Sequence, residues 1–116
     1  MNLVIKDLIG IRGIIKEDGQ KIYDLIHDSL KQGETVTLDF KGVTQFASPF
    51  FNFAVGQLLK DIKEQDLRRL LKIVHLENVG LQVVQRVIEN ASQYRSDINY
   101  QKVIDDILEQ QAKESE

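Results

Sequence analysis

Hydrophobic positions recur along this chain with two periods, and each change of period marks a new element. Val36, Leu38 and Phe40 alternate with Thr35, Thr37 and Asp39, which predicts a strand with one face in a core. Ile22, Leu25, Ile26 and Leu30 form the stripe of an amphipathic helix. Asp18 stands where an N-cap would open that helix, and Gly33 where a glycine would close it. Upstream lie two β-type apolar patches, Val4, Ile5, Leu8 and Ile9, then Ile11, Ile14 and Ile15. They predict one strand with an irregular continuation or two short strands, bent at Gly10 and Gly13.

Lys41-Gly42 turns the chain after the central strand. Further on, Pro49 is the sole proline. Its missing N–H costs nothing at the first helical position, which makes Ser48 the expected N-cap. The helix it opens carries Phe50, Phe51, Ala54, Val55, Leu58, Leu59 and Ile62 on one broad face. Gly56 falls inside that helix at a cost of about 1 kcal/mol against alanine, which a close approach of helix to sheet would explain. Leu70, Leu71, Ile73, Val74 and Leu76 read as a third strand buried on both faces. Asn78 is placed to cap a third helix bearing Leu81, Val84, Val87, Ile88, Ala91 and Tyr94. Asp97 or Asn99 is placed to cap a fourth, with Tyr100, Val103, Ile104, Ile107 and Leu108. The order β-α-β-α-β-α-α predicts an α/β domain with a small mixed or parallel sheet and helices packed against it. We assign it to residues 1–109, with 110–116 as a polar tail.

Composition narrows the function. A chain of 116 residues suits one domain. The absence of cysteine excludes disulfides, thiolate metal sites and a cysteine nucleophile. The net charge is −3 and no large basic patch is visible, which argues against nucleic acid. The densest basic cluster, Arg68, Arg69 and Lys72, sits beside Asp61, Glu64 and Asp66 and reads as a solvated loop. No apolar run approaches a membrane span of about 18–20 residues. The start lacks the basic and apolar regions of a signal peptide, so the expected location is the cytoplasm.

The sequence carries no recognisable motif for catalysis or a cofactor. The chain has no P-loop, no G-x-G-x-x-G and no H-E-x-x-H, and with His27 and His75 alone it cannot build a multi-histidine metal site. Ser48, Asp39 and His75 fall near one edge of the expected sheet, as a triad would require, but the glycine-rich nucleophile elbow is missing. The expectation is a non-enzymatic protein with no cofactor and no metal.

The segment from Val36 to Leu59 is the most specific. A strand ends in Asp39, a turn gives Gly42-Val43, and Ser48 opens a helix. In this it resembles STAS-like domains, relatives of the anti-sigma-factor antagonists and of the cytoplasmic domain of sulfate transporters. Glu17-Asp18-Gly19-Gln20, Ser48-Pro49-Phe50 with Asn52 and Gly56-Gln57, and Val87-Ile88-Glu89-Asn90-Ala91 extend the resemblance over roughly residues 2–95. It implies a STAS-like fold and a regulatory role in bacterial signalling. In the antagonists the matching serine accepts a phosphoryl group from a histidine-kinase-like ATPase partner. The resemblance carries that role to Ser48, with Thr44 as a second hydroxyl in the same loop. The antagonists usually have Asp-Ser-Ser-Gly there, and this chain has Ala47-Ser48-Pro49-Phe50.

The expected partner-binding surface comprises Asp39, Phe46, Ala47, Ser48, Pro49, Phe50, Asn52 and Phe53. Consecutive helical residues point about 100° apart, so one helix cannot easily bury Phe50, Phe51 and Phe53 together. An aromatic left exposed near the helix start would serve as a binding anchor. The alternative is a nucleotide or small-ligand-binding domain acting as a subunit of a signalling or defence complex.

Overall fold

The alternation at Val36–Asp39 produces the strand on which the fold is built. The computed structural model describes residues 1–96. In chain order the elements are β1 (Asn2–Val4), α1 (Ile5–Ile9), β2 (Arg12–Gly13), α2 (Lys16–Lys31), β3 (Val36–Asp39), β4 (Gln45–Phe46) and α3 (Ser48–Ala54). A 3-10 helix (Gly56–Lys60), α4 (Glu64–Leu70), β5 (Leu71–Val74) and α5 (Asn78–Ser96) follow. The main sheet has the order β1-β3-β5 and is parallel throughout, with Val4, Asp39 and Val74 in register at one end. β2 and β4 form a second, two-stranded parallel sheet. This is the α/β class with small parallel sheets that the alternation of strands and helices implies.

Val36, Leu38 and Phe40 point into the core. They meet Ile22, Ile26 and Leu30 of α2, Phe50, Phe51 and Ala54 of α3, and Val84, Val87 and Ile88 of α5. α2 and α3 approach so closely that a β-carbon on Gly19 would collide with the Phe50 carbonyl oxygen and lie 2.9 Å from Phe53 Cβ. A hydrogen bond of 2.8 Å from Gln57 Nε2 to Gln20 Oε1 ties α2 to the 3-10 helix that follows α3. α2 ends in a Schellman motif: Gly33 has φ +88°, its N–H bonds Leu30 O, and Glu34 N–H bonds Ser29 O.

Several elements differ from the sequence expectation. The N-terminal patches do give two short strands, but Ile5, Leu8 and Ile9 have helical spacing and α1 stands between them. α2 starts at Lys16 with Ile15 in the cap position, so Asp18 lies in the first turn, where its charge suits the helix dipole. Leu25 and Leu81, expected on buried stripes, are 44% and 41% exposed. The long helix expected from Ser48 breaks at Val55 into the 3-10 helix. Gly56 makes room for Val87 of α5, 3.2 Å from where its β-carbon would lie, and not for the sheet. Within the acidic and basic cluster, Glu64, Asp66, Arg68 and Arg69 lie on α4 and not in a loop, because Leu67 and Leu70 are buried. Acids fill its first turn and Arg68 and Arg69 its last, which complements the dipole. β5 begins at Leu71 and lies at the sheet edge, with Lys72 and Val74 exposed. Leu81 N–H bonds Glu77 O, so Glu77 takes the capping place expected for Asn78. The expected fourth helix and the polar tail lie outside the described residues. Among those residues, no helix is long and apolar enough to cross a membrane.

Candidate functional site

β3 delivers Asp39 to the carboxyl edge of the sheet. There Asp39 Oδ1 accepts hydrogen bonds from the Lys41 backbone N–H at 2.9 Å and from His75 Nδ1 at 2.8 Å. The first of these, helped by the second, holds the Asp39 carboxyl below the usual carboxylate range. The chain then turns tightly, with Val43 N–H bonded to Phe40 O and Gly42 at φ +85°. His75 sits just past β5 at φ +60°, a left-handed conformation uncommon outside glycine, with its ring 60% exposed.

β4 carries the chain to α3. Ala47 N–H bonds Gly13 O at 2.9 Å, which extends the β2–β4 pairing and keeps Ala47 extended at φ −146° and ψ 159°. An extended residue at the helix start is the N-cap, so that place belongs to Ala47 and not to Ser48. Ser48 is the first helical residue and Pro49 the second, where a missing N–H still costs nothing. Ser48 is exposed, and its hydroxyl makes no capping hydrogen bond.

The aromatic cluster turns inward. Phe50 and Phe51 are fully buried, with ring centroids 5.2 Å apart and edge-on to one another. Phe40 packs 6.4 Å from Phe50 and 5.8 Å from Phe51. Phe46 is half-buried beside Phe51, and Phe53 is half-buried against α2. Phe50 is therefore core and not partner surface, because α2 and the sheet close on it from two sides. No aromatic among these stands exposed as an anchor. The accessible part of the segment is Thr44, Gln45, Ser48, Pro49 and Asn52, with Ala47 half-buried.

Ser48 and Asn52, one turn apart on α3, form one wall of a cavity of about 310 Å³. α5 forms the other with Val79, Val83 and Val87 interleaved with Gln82, Arg86 and Asn90. Among the described residues, the side chains of Ser48, Asn52, Gln82, Arg86 and Asn90 make no hydrogen bond or ion pair. Sequence reasoning missed the α5 wall because it followed the apolar stripe alone. The signal available was Gln82, Arg86 and Asn90 at spacings of four, one polar line along a single helix face.

A profile of the STAS-like domain of unknown function (DUF4325) matches residues 18–81, from the first turn of α2 to the start of α5. The chain belongs to this STAS-like family. No curated protein and no solved structure matches it.

In this STAS-like chain the turn and the serine are neighbours in sequence but have different partners. Asp39 and His75 meet as the triad reading required, but Ser48 bonds neither and faces α5 instead. A triad is therefore not assembled. A second polar cluster lies on the far side of α2. His27 Nε2 stands 2.7 Å from Asp61 Oδ2, and Lys31 Nζ donates to Asp61 O at 2.9 Å. Tyr23 stacks on His27 with centroids 5.0 Å apart. The Asp61 hydrogen bond pushes the His27 pKa up, and burial followed by the Asp61 charge pushes up that of Tyr23. This cluster ties α2 to the segment before α4 and is separate from the cavity.

Proposed function

We propose that this STAS-like domain is a protein-binding regulatory module of the cytoplasm, and that Ser48 is the hydroxyl through which a kinase partner switches it. The observation that carries this reading is the state of Ser48. It is exposed, it makes no hydrogen bond among the described residues, and it borders the cavity between α3 and α5. It also holds the position at which the family resemblance places a phosphoacceptor. The rival role of helix capping belongs to Ala47, so the hydroxyl has no structural task to lose. Thr44 is exposed too, but it lies ahead of β4 and away from the helix start.

A phosphate on Ser48 would add about −1.5 to −2 charges at the surface. Shifting a partner's affinity a hundredfold takes about 2.7 kcal/mol. An unpaired charge trapped in an interface costs at least that much, so a phosphate at this surface is sufficient as a switch. The partner class that the resemblance implies is a histidine-kinase-like ATPase. Its surface would centre on Ser48, Pro49 and Asn52, with Ala47 and Phe46 behind them. The test is affinity purification from the native host with wild type, Ser48→Ala and Ser48→Asp. Ser48→Ala is expected to retain the partner and Ser48→Asp to lose most of it. Equal recovery by all three variants would rule the switch out.

A further inference from the structure

We infer that the cavity between α3 and α5 is a binding site for a phosphoryl group, anchored by Arg86. The argument begins with charge. Among the described residues lining the cavity, Arg86 is the one that carries a formal charge, and no carboxylate lines it. The nearest acid along α5, Glu89, accepts from Gln85 Nε2 at 3.0 Å, and Gln85 in turn accepts from Arg68 of α4. That ladder joins α5 to α4 and does not reach Arg86, whose charge is left uncompensated among the described residues.

Hydrogen-bonding capacity points the same way. Ser48, Asn52, Gln82 and Asn90 each carry an O–H or N–H donor and line the cavity with Arg86. None is engaged among the described residues. A carboxylate offers two acceptor oxygens, and a phosphoryl group offers three with more charge, which suits a donor set of this size. Among the described residues, no aromatic side chain lines the cavity to stack a nucleobase. The volume is at the low end of ligand pockets, about 300–1,000 Å³. These features select a small phosphate monoester over a nucleotide.

The walls are also fixed before any ligand arrives. α3 is held from behind by the Gly19 contact, and α5 is seated on Gly56 through Val87. The cost left for binding is that of ordering the exposed side chains and not the backbone. The phosphoryl group has two possible sources, a free phosphate ester or the phosphate on Ser48 itself. The second source rests on the Ser48 reading; the site does not.

The test is an NMR titration of the full chain with inorganic phosphate at constant ionic strength. Saturable shifts are expected at Ser48, Asn52 and the Arg86 side chain, and Arg86→Gln should weaken binding about tenfold or more. Arg86 is exposed, and matching melting curves would verify that the variant folds. Unsaturable shifts, or equal affinity in Arg86→Gln, would overturn the proposal. A second arm uses protein carrying phosphoserine at position 48. Blocked phosphate binding, with a phosphorus resonance that moves in Arg86→Gln, identifies the Ser48 phosphate as an occupant. Unblocked binding identifies a free ester. Neither arm needs a kinase or partner, so failure here is separate from failure of the switch.

Discussion

The two flanks of α3 are built on opposite rules. Toward α2 the helix is packed without clearance, with Gly19 against the Phe50 backbone and Phe53. Toward α5 the same short helix leaves an open cavity rimmed by side chains that bond nothing among the described residues. One flank supplies stability. The other carries polar groups that have no structural work among the described residues, an arrangement that makes sense where a ligand or modification is to be met. A seven-residue helix achieves both because residues 50, 53 and 54 face one way and residues 48 and 52 another.

Substitutions on the two flanks should separate sharply. Phe50→Ala removes a fully buried ring and should cost about 3–5 kcal/mol, read by urea denaturation. Gly19→Ala adds a methyl group where backbone already stands. The clash outweighs the roughly 1 kcal/mol gain in helix propensity, for a net loss of about 2 kcal/mol. A Gly19→Ala protein as stable as wild type would show that the α2 flank has slack.

The His27–Asp61 pair gives a pH-dependent step. The folded pKa of His27 is raised from 6.5, so its contribution is full below 6.5 and is lost as pH rises through the folded value. The stability gap between wild type and His27→Gln should therefore narrow with rising pH in thermal melts. Asp39 has the opposite sign. Its folded pKa is lowered, so its contribution holds above the ordinary carboxylate range and is lost as pH falls. Asp39→Asn should flatten the acid limb of the stability curve. The smallest effect is expected on the α5 flank, where Ser48→Ala should change stability by less than about 0.5 kcal/mol. A loss near the roughly 1 kcal/mol typical of an N-cap would return the capping role to Ser48.

Much of this fold was legible in the sequence where one period ran undisturbed. β3, α2 and its Gly33 terminus follow from alternation, a stripe and a glycine. Legibility failed where two signals overlapped. Ile5, Leu8 and Ile9 satisfy a helical spacing while looking β-prone. Ser48-Pro49 matches the capping pattern, but long-range pairing of Ala47 with Gly13 moved the cap by one residue. The site was only half visible. Ser48 and Asn52 were named from the family pattern, but the facing line Gln82, Arg86 and Asn90 becomes a wall only when α5 folds back across α3. Nothing local in the sequence states that two such lines will meet.

The most direct measurement is phosphosite mapping by mass spectrometry after the purified domain is incubated with ATP in an extract of its native host. Phosphate on Ser48, absent in Ser48→Ala, is the expected result. An unmodified Ser48 in an extract whose kinases demonstrably label other proteins would contradict the proposed switch.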